Sequence, residues 1–163
     1  MNSHEIFQAK VLDRDPLLAR VNTWRLRDQK IVFTNGCFDL LHLGHLDYLS
    51  KAASLGNKLV VGVNSDASNH RLKGPGRPIN DERSRSLLLA ALFFVDAVCI
   101  FDEDTPYELI KLLRPDVLVK GADYTIEQIV GADLVLANGG EVKTIEFLEG
   151  YSTTAIETKI RNS

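Results

Sequence analysis

The sequence predicts an α/β fold, a doubly wound parallel sheet within one domain, on three observations. Short, continuous apolar runs rich in Val, Ile and Phe recur along the chain, as they do in strands covered on both faces. Segments with helical apolar spacing separate them. The stretch from residue 30 to residue 63 also reads strand, turn, helix, strand, which is the βαβ unit.

Residues 1–27 read as a polar helical extension in which Val11, Leu12, Leu17, Leu18, Val21, Trp24 and Leu26 are spread among charged neighbours, with Pro16 expected to divide it. Residues 30–34 form a β-branched and aromatic strand, closed by a tight turn at Asn35-Gly36. From Leu43, apolar positions at helical spacing (Leu46, Leu49, Ala53) predict a helix that Gly56-Asn57 stops, and residues 58–63 form the second strand. Residues 65–80 read as one long irregular loop with Gly74-Pro75-Gly76-Arg77-Pro78 at its centre, a length more often functional than accidental. Residues 81–94 then read as helix, 97–101 as strand, 105–113 as helix and 117–120 as strand. Asp104-Thr105-Pro106 marks the start of the second of these helices. A helix over 126–137, a strand over 141–145 and a last helix over 152–160 complete the alternation. The domain proper is expected to span 28–163.

Composition narrows the function classes. The chain has 163 residues, 25% charged and 45% hydrophobic, the balance of a globular domain with a packed core. A net charge of −3 argues against nucleic acid as the main partner, since that calls for a clustered cationic surface. No apolar run reaches the roughly 20 residues of a membrane helix, and the first ten residues lack the basic-then-apolar order of a secretory signal. A cytoplasmic setting without a membrane partner is expected. Cys37 and Cys99 are too few for a disulfide framework and read as reduced thiols.

In open α/β sheets ligands bind at the carboxyl edge of the strands, and after the first strand that edge carries residues 34–45. His42 and His45, three apart at a helix start, fall on one face, and Gly44 between them lets a ligand approach the backbone. The helix N-terminus adds free N–H groups and a positive dipole end, which suit phosphate. Two bland alternatives compete: surface or capping histidines, and a zinc site built from Cys37, His42 and His45. The pairing with glycine weakens the first. The second lacks a further Cys or His cluster to complete it, His4 and His70 being incidental, so no protein metal site is expected.

Taken together, Thr34-Asn35-Gly36-Cys37-Phe38-Asp39, His42-x-Gly44-His45, Val63-Asn64-Ser65-Asp66, Lys73-Gly74, Arg77-Pro78, Val119-Lys120-Gly121-Ala122-Asp123-Tyr124 and Ser152-Thr153-Thr154 resemble the HxGH nucleotidyltransferases. The segment from about residue 28 to about residue 161 is most similar to the heptose 1-phosphate branch of that family. The resemblance implies a Rossmann-like sheet. It also implies attack of a sugar-phosphate oxygen on the α-phosphorus of ATP, giving a nucleotide sugar (ADP-heptose) and pyrophosphate with no covalent intermediate. ATP and D-glycero-β-D-manno-heptose 1-phosphate are the implied partners, and Mg²⁺ is expected to accompany the triphosphate.

Residue by residue, the resemblance assigns Thr34, Asn35, Gly36, Cys37, Phe38 and Gly44 to the nucleotide cradle and His42 and His45 to hydrogen bonds on the α-phosphate. Lys73 becomes a cation that neutralises phosphate, and Asp123 a contact to ribose or to a metal-bound water. Ser152, Thr153 and Thr154 hold the β- and γ-phosphates, with Glu157 in a rough capping role. Asp39, Arg77, Arg85 and Lys120 are expected on the substrate side, with Asp39 either orienting a histidine or capping the following turn. Proteins of this kind are often fused to a sugar kinase, for which 163 residues leave no room, so a separate kinase and a homo-oligomer, a dimer, are expected. Two other functions stay open at this point: a cytidylyltransferase acting on glycerol 3-phosphate or a related polyol phosphate, and a nucleotide-binding regulatory module without catalysis.

Overall fold

The computed structural model describes residues 2–163. Five strands, β1 (Ile31–Gly36), β2 (Lys58–Asn64), β3 (Ala97–Phe101), β4 (Val117–Gly121) and β5 (Glu141–Ile145), form one sheet in the order β3-β2-β1-β4-β5, every neighbouring pair parallel. The helices are α1 (Ser3–Gln8), α2 (Arg14–Arg25), α3 (Leu43–Ala53), α4 (Asp66–Lys73), α5 (Glu82–Ala91), α6 (Tyr107–Leu113), α7 (Ala132–Ala137) and α8 (Thr153–Arg161). Phe33 packs with Leu17, Val21, Leu109, Ile110 and Leu113 on one face of the sheet. Val32 and Val61 pack with Tyr48, Leu49, Leu89 and Ala90 on the other. Burial on both faces explains why the strands read as unbroken apolar runs.

The chain winds outward from β1 through β2 to β3, then returns to place β4 and β5 on the opposite side. The direction therefore reverses between β1 and β4, where loops at the carboxyl ends splay apart and leave a crevice.

Four local expectations need correction. Pro16 does not divide the N-terminal segment: it lies in the first turn of α2, where a missing N–H goes unused, and the break falls at residues 9–13. There Val11 pairs with Val98 as a parallel bridge, Leu12 donating to the Val98 carbonyl and Val98 to that of Lys10, both at 2.9 Å, so the segment covers the edge of β3. Asn35 and Gly36 belong to β1, in register with Gly62 and Val63, and the turn follows at Phe38, whose φ is 50°.

Residues 65–80 are not one loop. Ser65 accepts from the Ser68 N–H and caps α4, a helix whose buried residues are the polar Ser68 and Asn69 and which therefore carries no apolar period to read. The segment 126–137 is likewise split into a 3-10 turn, Ile126–Gln128, and α7, with Gly131 at φ 86° between them.

Candidate active site

A cavity of ≈ 700 Å³ opens at the carboxyl ends of β1 and β4. Asn35, Gly36, Cys37, Phe38, Asp39, His45, Lys73, Arg77, Lys120, Asp123, Thr153 and Thr154 all line it, so most of the sequence-selected residues meet in one place. Thr34, His42, Gly44, Arg85 and Ser152 are not among the lining residues: Thr34, Gly44 and Arg85 are buried, His42 is half-buried and Ser152 is exposed at the start of α8.

Thr34 is fully buried. Its hydroxyl donates to the Val119 carbonyl at 3.0 Å and lies 2.8 Å from the Tyr48 hydroxyl, tying β1 to β4 and α3. Burial pushes the Tyr48 phenol up to about 12, so it stays protonated. Gly36 lies against the Phe38 ring, which a Cβ at that position would meet at 3.0 Å. The Phe38 ring meets His45 edge-on, with centroids 5.5 Å apart.

His42 is the N-cap of α3 but makes no capping bond with its side chain. Its ring lies over Gly44, where a Cβ would come within 3.0 Å of Nδ1, and stacks on His45 with centroids 3.9 Å apart. Nδ1 of each ring is buried without a hydrogen-bond partner. Burial pushes His45 down to about 4, helped by the neighbouring His42, and the Leu40 backbone offsets this in part. Burial lowers His42 as well. Both rings are thus neutral near pH 7, each with one N–H to offer.

Asp39 neither orients a histidine nor caps the turn. Its carboxylate accepts from the Ile79 and Asn80 N–H groups at 2.9 and 2.8 Å and pairs with Arg77 at 3.1 Å. Burial alone would raise this carboxyl, yet the Asn80 and Ile79 amides and Arg77 hold it below the usual range. Arg77 also pairs with Glu157, which therefore links α8 to the loop and takes no part in capping. The cap is Ser152, accepting from the Ala155 N–H at 3.0 Å.

Arg85 was expected on the substrate side and is not there. It is fully buried and does not line the cavity, donating instead to the carbonyls of Asn80 and Cys37 and to Asp66 at 2.9, 2.6 and 2.9 Å. Cys37 faces the cavity as a thiol pushed up by burial, although Lys73 and Arg85 pull the other way, so it is a poor nucleophile.

Among the described residues, neither Lys73 nor Lys120 has a carboxylate within 4.0 Å. Burial lowers Lys120, Cys37 and Asp123 offset part of that, and Lys73 lowers it further. Asp123 folds over Gly121, where a Cβ would lie 2.1 Å from Phe147 and 2.9 Å from the Asp123 carboxylate. Lining residues that sequence reasoning did not select include Asn69, Asp104, Thr105, Tyr124 and Phe147. The signal for Asp104 and Thr105 was at hand, since they follow β3 at the same carboxyl edge. Two neutral imidazoles, two unpaired ammonium groups and the N-terminus of α8 around one crevice make a site for a polyanion.

The family model described as Cytidylyltransferase-like matches residues 33–159, a span running from β1 into α8. The chain belongs to that family.

Curated relatives agree with the cytidylyltransferase-like assignment. The chain is 56% identical over 156 residues to the "Bifunctional protein HldE" of Wolinella succinogenes, and 53% identical over 156 residues to that of Campylobacter jejuni subsp. jejuni. Each match covers 96% of this chain but 32% of the relative, so the chain spans about a third of the length of these proteins. Among solved structures, a lipopolysaccharide core biosynthesis protein from Thermoplasma volcanium is 32% identical with a TM-score of 0.59, covering 76% of this chain and 99% of its own. A pantoate-beta-alanine ligase from Francisella tularensis, 16% identical with a TM-score of 0.60, covers 93% of this chain and 76% of its own and shares the fold. The Rossmann-like architecture is thus shared with both solved structures.

Proposed function

We propose that the protein transfers the adenylyl group of ATP to D-glycero-β-D-manno-heptose 1-phosphate, giving ADP-heptose and pyrophosphate, with residues 28–163 as the transferase domain. The observation that carries this reading is His45, stacked on His42 at the switch point, lining one cavity with Lys73, Lys120 and the Thr153-Thr154 end of α8. The similarity to bifunctional HldE proteins and to a lipopolysaccharide core biosynthesis protein supports a sugar-nucleotide role.

The reaction asks little of the protein covalently. A phosphate oxygen of the sugar phosphate attacks the α-phosphorus, and the bond from that phosphorus to the bridging oxygen breaks. Pyrophosphate leaves with the electron pair. Catalysis then consists of alignment and of steadying charge on the phosphoryl oxygens. His42 and His45 donate to the α-phosphate, Lys73 and Lys120 balance its growing charge, and the N–H groups of α8 receive the departing pyrophosphate.

Among the described residues no three His, Cys, Asp or Glu side chains gather to hold an ion. That arrangement fits Mg²⁺ carried mainly by the triphosphate, with the unpaired Asp123 as its protein contact, and when bound it neutralises phosphate charge. The proposal includes a homodimer in the cytoplasm. Phe93, 90% exposed, and Leu88, 51% exposed, are apolar surface that the proposed second copy would cover, and light scattering measures the mass directly.

Pyrophosphate release measured with ATP and CTP against heptose, hexose and glycerol phosphates tests the reading. ATP with heptose 1-phosphate should give the highest kcat/KM; no turnover with any heptose phosphate would sink it. CTP with glycerol 3-phosphate as the best pair would favour the cytidylyl alternative, which the family description also names.

A further inference from the structure

The cavity has two arms of different chemistry. On the β4 side lie Lys120, Asp123, Tyr124 and Phe147, together with the start of α8. On the β2 and β3 side lie Asn64, Asn69, Lys73, Asp104 and Thr105. Parallel strands stand about 4.8 Å apart, so β3 is roughly 10 Å from β1, a reach that suits a sugar phosphate better than a nucleoside triphosphate.

Aromatic side chains separate the arms further. Tyr48, Tyr124 and Phe147 lie toward the β4 side, where a base can stack, and Phe38 follows β1; among the described lining residues, those that follow β2 and β3 include no aromatic ring and are rich in amide, hydroxyl and carboxylate groups. Asn69 is fully buried in its floor with both amide atoms unpartnered. Thr105 has no partner for its hydroxyl, and Asp104 uses only Oδ1, which accepts from Arg71 Nε at 2.9 Å. Groups of this kind read hydroxyls.

Resting on the proposed function, we propose that Asp104 and Thr105, with Asn69 beneath them, bind the hydroxyls of the acceptor sugar and set its specificity. Lys73, at the end of α4, faces the sugar's phosphate. The segment Asp104-Thr105-Pro106 is then a recognition element as well as the lead-in to α6.

The test is steady-state kinetics of Thr105→Val and Asp104→Ala, both exposed positions that tolerate truncation, with each substrate varied in turn. Each variant should raise KM for heptose 1-phosphate about tenfold, leave KM for ATP within about twofold, and narrow the preference for heptose 1-phosphate over glycerol 3-phosphate. Equal effects on both substrates, or an unchanged KM for the sugar, overturn the assignment. Wild-type protein that turns over no heptose phosphate fails the functional reading and this inference together. Wild-type turnover with unaltered variants fails this inference alone.

Discussion

Arg85 donates to the carbonyl of Cys37 at 2.6 Å from a fully buried position, joining a helix to the turn that follows β1 in the proposed nucleotide cradle. The same guanidinium reaches Asn80 and Asp66, so it is a structural rivet behind the site. Arg85→Met should cost about 3 kcal/mol of stability, because it leaves buried carbonyls unpaired. Thermal denaturation checks this. A substrate contact would instead raise KM and leave the melting temperature alone.

Replacing His42 or His45 by Ala should lower kcat about 100-fold or more while ATP affinity changes by less than about threefold, the pattern of donors that act in the transition state. Single-turnover rates beside equilibrium ATP binding separate the two quantities. Parallel losses in both would contradict the role.

His45 should titrate near 4 in the free protein by NMR, against 6.5 for an ordinary histidine, and its midpoint should rise when ATP brings negative charge to the ring. The folded value lies below the unfolded one, so between the two the unfolded chain binds more protons. Stability contributed by neutral His45 is therefore complete above about 6.5 and lost as pH falls toward about 4. Melting temperatures measured across that window should decline more steeply for wild-type protein than for His45→Gln.

Gly121→Ala places a methyl 2.1 Å from the Phe147 ring and 2.9 Å from the Asp123 carboxylate. Phe147 is 56% exposed and can swing outward, so the melting temperature should fall by no more than about 3 °C. The site suffers more, since both the ring and the carboxylate must leave their places. KM for ATP should rise severalfold, measured at saturating acceptor.

Leu12→Pro removes the N–H that donates to the Val98 carbonyl and opens the covered edge of β3. Stability should drop by about 1–3 kcal/mol, with greater aggregation on heating, while activity per folded molecule is retained. Light scattering during a thermal ramp reads the aggregation.

The sheet was legible in the sequence because doubly covered strands such as 58–63 are continuous apolar runs, and the site because Gly44 and the paired histidines follow the first of them. Polar packing was not legible. The α4 helix buries Ser68 and Asn69, so it has no apolar stripe, and the role of Arg85 depends on carbonyls 5 and 48 residues away that no local pattern displays. Asp39 likewise serves a loop 40 residues downstream, a partnership visible only once the chain has folded.

The buried polar atoms without partners among the described residues, on Asn35, His42, His45 and Asn69, all belong to one crevice or stand directly behind it. Among the described residues the other buried side-chain nitrogen and oxygen atoms have partners; these do not. Substitutions that swap these side chains for apolar ones of like size should rank among the most stabilising and the most damaging to the proposed turnover, so selection for thermal robustness alone would erode the protein from its candidate working end.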